Sequence, residues 1–434
     1  MSGFGRLRDV SEPYRISSKA FARPQPARAR SRHWLEALPL AAPLLAAACL
    51  TFNQAALAEP ALDTAPQATA SPTERSRWSP AAATRLVELI EESKQEGLNP
   101  HDYQADALRA AIAAGAKGPE FDSLANISAL GLAHDYASGR IDDKASLDWH
   151  IAPPIDLNML AAGLDRALAA GKLADWLQGL LPQNAEYRAL KASYASADPA
   201  DTATRDRLRA NLERWRWMPR ALGDRYLYVN VPSYRLALVD NGSEQASYNV
   251  VVGTAKTPTP QLAFAAQSII ANPDWILPPS VLKEGKWRNG GYAISRRADG
   301  SPLVRQPPGP KNALGRIKID MPNPFAIYLH DTPEKGAFER QDRALSHGCI
   351  RVQNIVDLAA LLYDRDSLDE ALANPSRTRV FKLDRSVPVY IVYFTALPQP
   401  DGSTHFFDDP YDRDRAVVAR LDGATEQIVR VAAR

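Results

Sequence analysis

The feature that most constrains this chain is a change of hydrophobic period near residue 220. Upstream, apolar residues recur at helical spacing. Ser79-Pro80 gives an N-cap followed by proline at the first helical position, and Leu86, Leu89 and Ile90 then share one face up to Gly97. Asn99-Pro100 repeats the start signal for a helix through Ile112 that ends near Gly115. Segments 121–138, 156–170 and 184–195 keep the same period, with Gly139 and Gly171 as stops. From about Tyr226 the period becomes two. "RYLYVNVPSYRLALVD" alternates, Asn241-Gly242 marks a hairpin turn, and "QASYNVVVG" follows. "SIIANPDWILP", "GRIKIDMPNPFAIYLH", "TRVFKL" and "VPVYIVYF" read as further short strands, and only Asn354–Tyr363 reads as a helix among them. The order predicts an α+β protein. An all-α domain over 78–217 precedes a mostly-β, sandwich- or barrel-like domain over 218–397, and 398–434 is a polar tail with one terminal helix.

The N-terminus predicts export. Residues 1–34 are rich in arginine, Ala37–Phe52 is an apolar run containing Pro39 and Pro43, and Ala56-Leu57-Ala58 supplies a small-residue cleavage site. The expected signal peptide is 1–58, followed by a flexible linker of Ala, Pro, Thr and Ser over 59–77. A periplasmic chain beginning near Glu59 is the expectation, with an uncleaved inner-membrane anchor, or lipidation at Cys49, as the alternatives. Taking the 8 basic and 3 acidic residues of 1–58 from the totals of 52 and 50 turns a net charge of +2 into −3. The basicity therefore belongs to the leader, and no nucleic-acid partner is indicated.

Export leaves Cys349 as the only cysteine, which rules out an internal disulfide and makes the thiol a candidate nucleophile. It stands in Ser346-His347-Gly348-Cys349, fifteen residues after His330, which ends the strand "FAIYLH" and precedes Asp331. A histidine on a strand end can be aimed as a general base, and Gly348 allows a sharp turn that points amides at an oxyanion. On an extended segment His347 would project to the same side as Cys349. Spacing alone leaves open which histidine is the base. Two other readings compete: a buried structural cysteine, and a zinc site formed by His330, His347, Cys349 and Asp331. No CxxC or HExxH pattern supports the zinc site. Trp215 and Trp217 in "NLERWRWMPR" read as domain-interface packing rather than as a sugar platform.

These residues resemble a family. The pattern H, fifteen residues, then S-H-G-C-I-R is similar to the active-site signature of YkuD-type L,D-transpeptidases. "NLERWRWMP", "VNVPSY", "VVVGTAKTPTP", "NPDWILPPSV" and "YLHDTP" resemble its larger, YcbB-like branch, as "EGLNPHDY" and "AHDYASGRID" resemble that branch's scaffold domain. The likeness covers roughly residues 80–395. It departs from that branch in lacking a peptidoglycan-binding module before "NLERWRW" and in a short segment between Ser280 and Lys311, where a capping subdomain is expected. Arg351 stands where the wider family often has Asn, as in the YcbB-like branch.

The resemblance implies cysteine acyl transfer on peptidoglycan stem peptides, without a cofactor or metal. Cys349 would be the nucleophile, with His330 as base and Asp331 or a backbone carbonyl orienting it. His347 and Gly348 would shape the oxyanion site, with Arg351, Ser346 and Asp331 toward substrate. It also implies acylation by carbapenems. A cysteine carboxypeptidase and a non-catalytic wall-binding protein are the alternatives.

Overall fold

The computed structural model describes residues 78–151 and 156–423; the expected signal peptide and linker lie outside the described residues. α1 (Pro80–Glu92) begins where Ser79 accepts a hydrogen bond from the Ala82 amide, and it buries Leu86, Leu89 and Ile90. The helix expected from Asn99 is split. Gln104 adopts a left-handed conformation (φ 54°), so a single 3-10 turn over Pro100–Tyr103 precedes α2 (Ala105–Ala113). α3 (Pro119–Ser138) stops at Gly139, whose φ of 83° suits a residue without Cβ. α4 (Leu157–Ala169), α5 (Leu173–Leu180), α6 (Ala185–Ser196) and α7 (Thr202–Trp217) complete the helical layer.

α7 is the hub of that layer, and its last turns explain "NLERWRW". Residues 211–217 are all buried. Leu212, Trp215 and Trp217 enter the apolar core, and the charged side chains are held in pairs, although Arg214 Nη2 and the Trp215 indole nitrogen have no hydrogen-bond partner among the described residues. Glu213 accepts from Arg216 (2.7 Å), from the Trp217 indole (2.9 Å) and from the Ile141 amide (2.9 Å). Arg214 pairs with Asp414 at 2.5 Å, and Asn211 bonds Thr395 through both ends of its amide. A buried charge is tolerated only with such partners.

β1 (Trp149–His150) joins the helical layer to the first long hairpins, β2 (Arg225–Asn230), β3 (Arg235–Asp240), β4 (Ser243–Gly253) and β5 (Gln261–Ala271). After a small sheet formed by β6 (Trp275–Ile276), β7 (Ala293–Arg296) and β8 (Pro302–Gln306) come β9 (Ile317–Asp320) and β10 (Leu329–His330). β11 (Ala344–Ser346), β12 (Ile350–Val352) and β13 (Arg379–Val392) follow. The order β5-β13-β2-β3-β4-β12-β10-β9, with β9 pairing back to β5, closes the sheet into a barrel. Alternate residues, among them Leu227, Leu236, Val250, Ile319, Leu329, Ile350 and Val389, point inward and form its core.

The barrel region contains more helix than its sequence suggested. Besides α9 (Ile355–Leu362), it holds α8 (Pro279–Glu284) and α10 (Arg365–Leu372), whose Asp364 cap accepts from the Ser367 amide. The segment after residue 397 is not a free tail. A hairpin of β14 (Ala396–Pro398) and β15 (Thr404–Phe406) leads to α11 (Arg413–Asp422), which buries Val417 and Leu421 against the helical layer. That core also takes Tyr390, Val392 and Phe394 from the end of β13, so helices and barrel share one seam. No helix among the described residues is long and apolar enough to cross a membrane.

Candidate active site

β10 and β12 run side by side in parallel, pairing Leu329 with Ile350 and His330 with Arg351. Because Leu329 and Ile350 face the barrel core, His330 and Arg351 face outward. Tyr328 and Cys349 immediately precede the two strands, and their side chains interact with each other. Lys318 on β9 is paired with His330 from the other side, and its ammonium lies 4.3 Å from the Tyr328 ring. Three adjacent strands and the residues that precede them thus bring together a thiol, an imidazole, a phenol and two cations.

The Cys349 loop is held by backbone-directed bonds. Gly348 has φ 111°, which an L side chain rarely adopts. The Thr259 hydroxyl donates to the Gly348 carbonyl (2.8 Å) and accepts from the Gly253 amide (2.8 Å), while Tyr411 donates to the Gly253 carbonyl (2.6 Å). A Cβ on Gly253 would lie 2.1 Å from the Thr257 carbonyl oxygen and 3.0 Å from the Gly348 Cα, so the two loops meet glycine to glycine. This contact gives "VVVGTAKTPTP" its structural role.

His330 is buried, and its Nδ1 lies 2.5 Å from the Asp331 carbonyl oxygen. A carbonyl only accepts, so Nδ1 carries the proton and Nε2 is left with its lone pair. Burial, and then the Arg351 guanidinium, pull the imidazole pKa down to about 3. Cys349 is partly accessible yet walled by protein, and burial pushes its thiol upward, against hydrogen bonding from Tyr328 and the Lys318 charge. The resting pair is therefore a neutral thiol and a neutral imidazole. Tyr328 is itself pushed well above its usual range, by burial and then by the adjacent Cys349.

Several expected roles change. Gly348's positive φ breaks the extended run, so His347 does not share the face of Cys349. It is exposed and its Nε2 lies 2.5 Å from Glu284 on α8. The Gly348 amide donates to Ser346 Oγ (3.1 Å) rather than toward an oxyanion, whereas the Cys349 amide makes no hydrogen bond among the described residues. Ser346 is buried, and its hydroxyl donates to the Cys349 carbonyl (2.6 Å), so it braces the loop and does not face substrate. Asp331 is buried too, its carboxylate accepting from the Arg316 amide (2.9 Å) and from Lys335, so it is not a substrate ligand. Only its carbonyl serves His330. Arg351 stays at the site, paired with the exposed Glu334 at 2.6 Å. With His347 held on α8, the residues of the zinc reading do not converge, and no cluster of three or more His, Cys, Asp or Glu among the described residues is arranged for a metal.

Sequence reasoning missed Tyr328, Lys318, Thr259 and Glu284. Only Tyr328 had a local signal, since it stands two residues before His330 and strand alternation puts both on one face.

The closed barrel thus carries a cysteine on a glycine turn and, on the neighbouring strand, a buried neutral histidine. Residues 224–391 match the L,D-transpeptidase catalytic domain of the YkuD family, and residues 73–193 match the scaffold domain. The barrel therefore carries a domain similar to the YkuD L,D-transpeptidase catalytic domain. A curated Haemophilus influenzae protein, provisionally named an L,D-transpeptidase, is 29% identical over 283 residues. That match spans 58% of this chain and 57% of the relative, so the chain aligns with little more than half of the relative's length. Among solved structures, an L,D-transpeptidase from Mycobacterium smegmatis is 14% identical, covering 39% of this chain and 58% of that one, with a TM-score of 0.23. The catalytic domain of the E. faecium enzyme acylated by ertapenem is 14% identical, covering 40% and 99%, with a TM-score of 0.21.

Proposed function

We propose that this protein forms peptidoglycan cross-links by cysteine acyl transfer from a tetrapeptide stem. Cys349 Sγ attacks the carbonyl between meso-diaminopimelate and the terminal D-Ala, and the thiol proton passes to His330 Nε2. The developing oxyanion takes the Cys349 amide, with the Tyr328 hydroxyl close by. His330 then returns the proton to the departing amine, so D-Ala leaves and a thioester remains. The amine of a second stem attacks that thioester, gives up a proton by way of His330, and releases Cys349 as the thiol.

The observation that carries this reading is the fixed tautomer of His330. Its Nδ1–H is held by the Asp331 carbonyl, which leaves Nε2 with its lone pair, and β10 pairs with the strand that follows Cys349 directly. Because both groups rest neutral, proton transfer accompanies attack instead of preceding it as a preformed ion pair. Arg351 suits a stem carboxylate, and Glu334 occupies its guanidinium in the free protein.

Assignment to the YcbB-like branch is supported by the scaffold match. The turn between α6 and α7, where that branch often carries a binding module, spans only residues 197–201. The order of basic, apolar and small residues in 1–58 supports a periplasmic location. N-terminal sequencing from an envelope fraction should read from near Glu59; an intact Met1 or a lipidated Cys49 overturns that assignment.

The test of the reaction is muropeptide mass spectrometry with purified protein and tetrapeptide donors. Wild type should yield dimers and free D-Ala. Cys349→Ala and His330→Ala should abolish dimers while keeping the fold by circular dichroism. Tripeptides alone would replace transfer with hydrolysis, and dimers from Cys349→Ala would end the assignment.

A further inference from the structure

A second concave surface lies outside this chemistry, where the C-terminal end of α7 meets the outer face of β2 and β3. It is a groove of about 870 Å³. We propose that it is a saccharide subsite that holds the amino-sugar backbone of the glycan strand while a stem is processed at Cys349. The inference rests on the reading of the protein as a peptidoglycan cross-linking enzyme.

The wall of the groove is aromatic. Tyr226 and Tyr228 stand two residues apart on β2, hence on one face, and both are half-buried with ring centroids 6.5 Å apart. The floor beside them is low. Tyr228 is paired with Ala237 on β3, and Ala237 with Ser247 on β4, so one ring stands next to two small residues. A ring beside such a trough accepts the flat, C–H-rich face of a sugar, because the negative face of an aromatic ring attracts polarised C–H groups.

Trp215 borders the groove at 7% exposure with its ring against Phe394, so it closes the bottom of the trough as packing and leaves recognition to the two tyrosines.

Charge argues against an ionic ligand. Glu186 and Glu244 offset Arg220 and Arg235 along the rim, and the Arg220 guanidinium is spent on backbone carbonyls of Tyr136, Ala137 and Leu180. A charge-balanced groove with aromatic walls fits a neutral polyol better than an acidic peptide or a nucleotide. The position is also suitable. Ser247, Asn249 and Val251 alternate along the outer side of β4, and Val251, itself buried, is paired with Arg351, so the groove and the strand that follows Cys349 are joined through one strand.

The test is a fluorescence and calorimetric titration of the full chain with peptide-free oligomers of alternating N-acetylglucosamine and N-acetylmuramic acid. Wild type and Cys349→Ala should bind equally. Ala237→Trp, which fills the trough, and Tyr226→Ala, which removes a ring, should each weaken binding by about tenfold or more. Turnover of a sugar-free tetrapeptide donor should stay at the wild-type rate in both variants, while turnover of intact glycan strands falls. No glycan binding by wild type, or full binding by a folded Ala237→Trp or Tyr226→Ala, overturns the proposal, as does loss of stem-peptide binding instead of glycan binding. Glycan binding is read without the thiol, so a failed cross-linking assay with intact glycan binding would sink the catalytic reading and leave the groove.

Discussion

At the scale of single residues, the catalytic proposal depends on protonation states that the fold imposes. His330 has a pKa of about 3 in place, against about 6.5 when free. Between those values the unfolded chain binds a proton that the folded chain refuses, so stability falls as pH drops below about 6.5. His330→Gln should remove that part of the acid sensitivity, measured as the denaturation midpoint from pH 7 to 4. Nitrogen-15 NMR should find His330 as the Nδ1–H tautomer with no titration down to about pH 5; a protonated imidazolium at pH 6 would contradict the assignment. Cys349 gives a complementary prediction. A carbapenem's strained lactam carbonyl should acylate the thiol once per chain, and intact mass should show no adduct on Cys349→Ala. The leaving nitrogen stays tethered in the opened ring and hinders the acceptor. Cys349 and His330 stood out in the sequence, one as the only cysteine beyond the N-terminal apolar run, the other as a polar strand end. Thr259 and Glu284 were not, because they reach the loop across 89 and 63 residues of intervening chain.

At the scale of elements, the important feature is the brace between the β4–β5 connection and the nucleophile loop. Thr259→Val keeps the shape but leaves the Gly253 amide and the Gly348 carbonyl without a buried partner. It should cost about 1–3 kcal/mol, read as a lower melting temperature, and turnover should fall more than substrate affinity because the thiol loses its position. An unchanged melting temperature would show that the loop is held by other means. Element identity was legible wherever a cap and a period coincided, as at Ser79 for α1 and at Gly139 for the end of α3. It was lost where local signals were weak or opposed. α10 has a cap at Asp364 and Leu368 and Leu372 four apart, but it follows α9 so closely that the two read as one helix and a loop. The helix expected from Asn99 failed at Gln104, whose left-handed backbone has no sequence marker. Barrel closure was not readable either, since it depends on β9 pairing with β5 and no local pattern specifies that partner.

At the scale of the whole molecule, the helical layer and the barrel share buried residues. Tyr390, Val392 and Phe394 leave β13 to enter the helical core, and Asn211 secures the turn that follows through Thr395. Calorimetry of the full chain should therefore show one cooperative transition over the described residues, with van't Hoff and calorimetric enthalpies in agreement. A truncated chain starting at residue 218 should melt far lower or aggregate, because it bares the face that α7 covers. Retention of the full melting temperature would show that the barrel is independent.

The docking of α11 on α7 also sets an order of events during synthesis. α7 is complete at Trp217, but Val417 and Leu421, which finish its core, emerge about 200 residues later. At 5–20 residues per second that interval lasts roughly 10–40 s. For all of it the newborn helices present an open apolar seam, and the barrel must form beside it. α11 therefore acts as a closing wedge, and a ribosome that stalls before residue 413 leaves a chain with its Cys349 loop made and its hydrophobic flank uncovered.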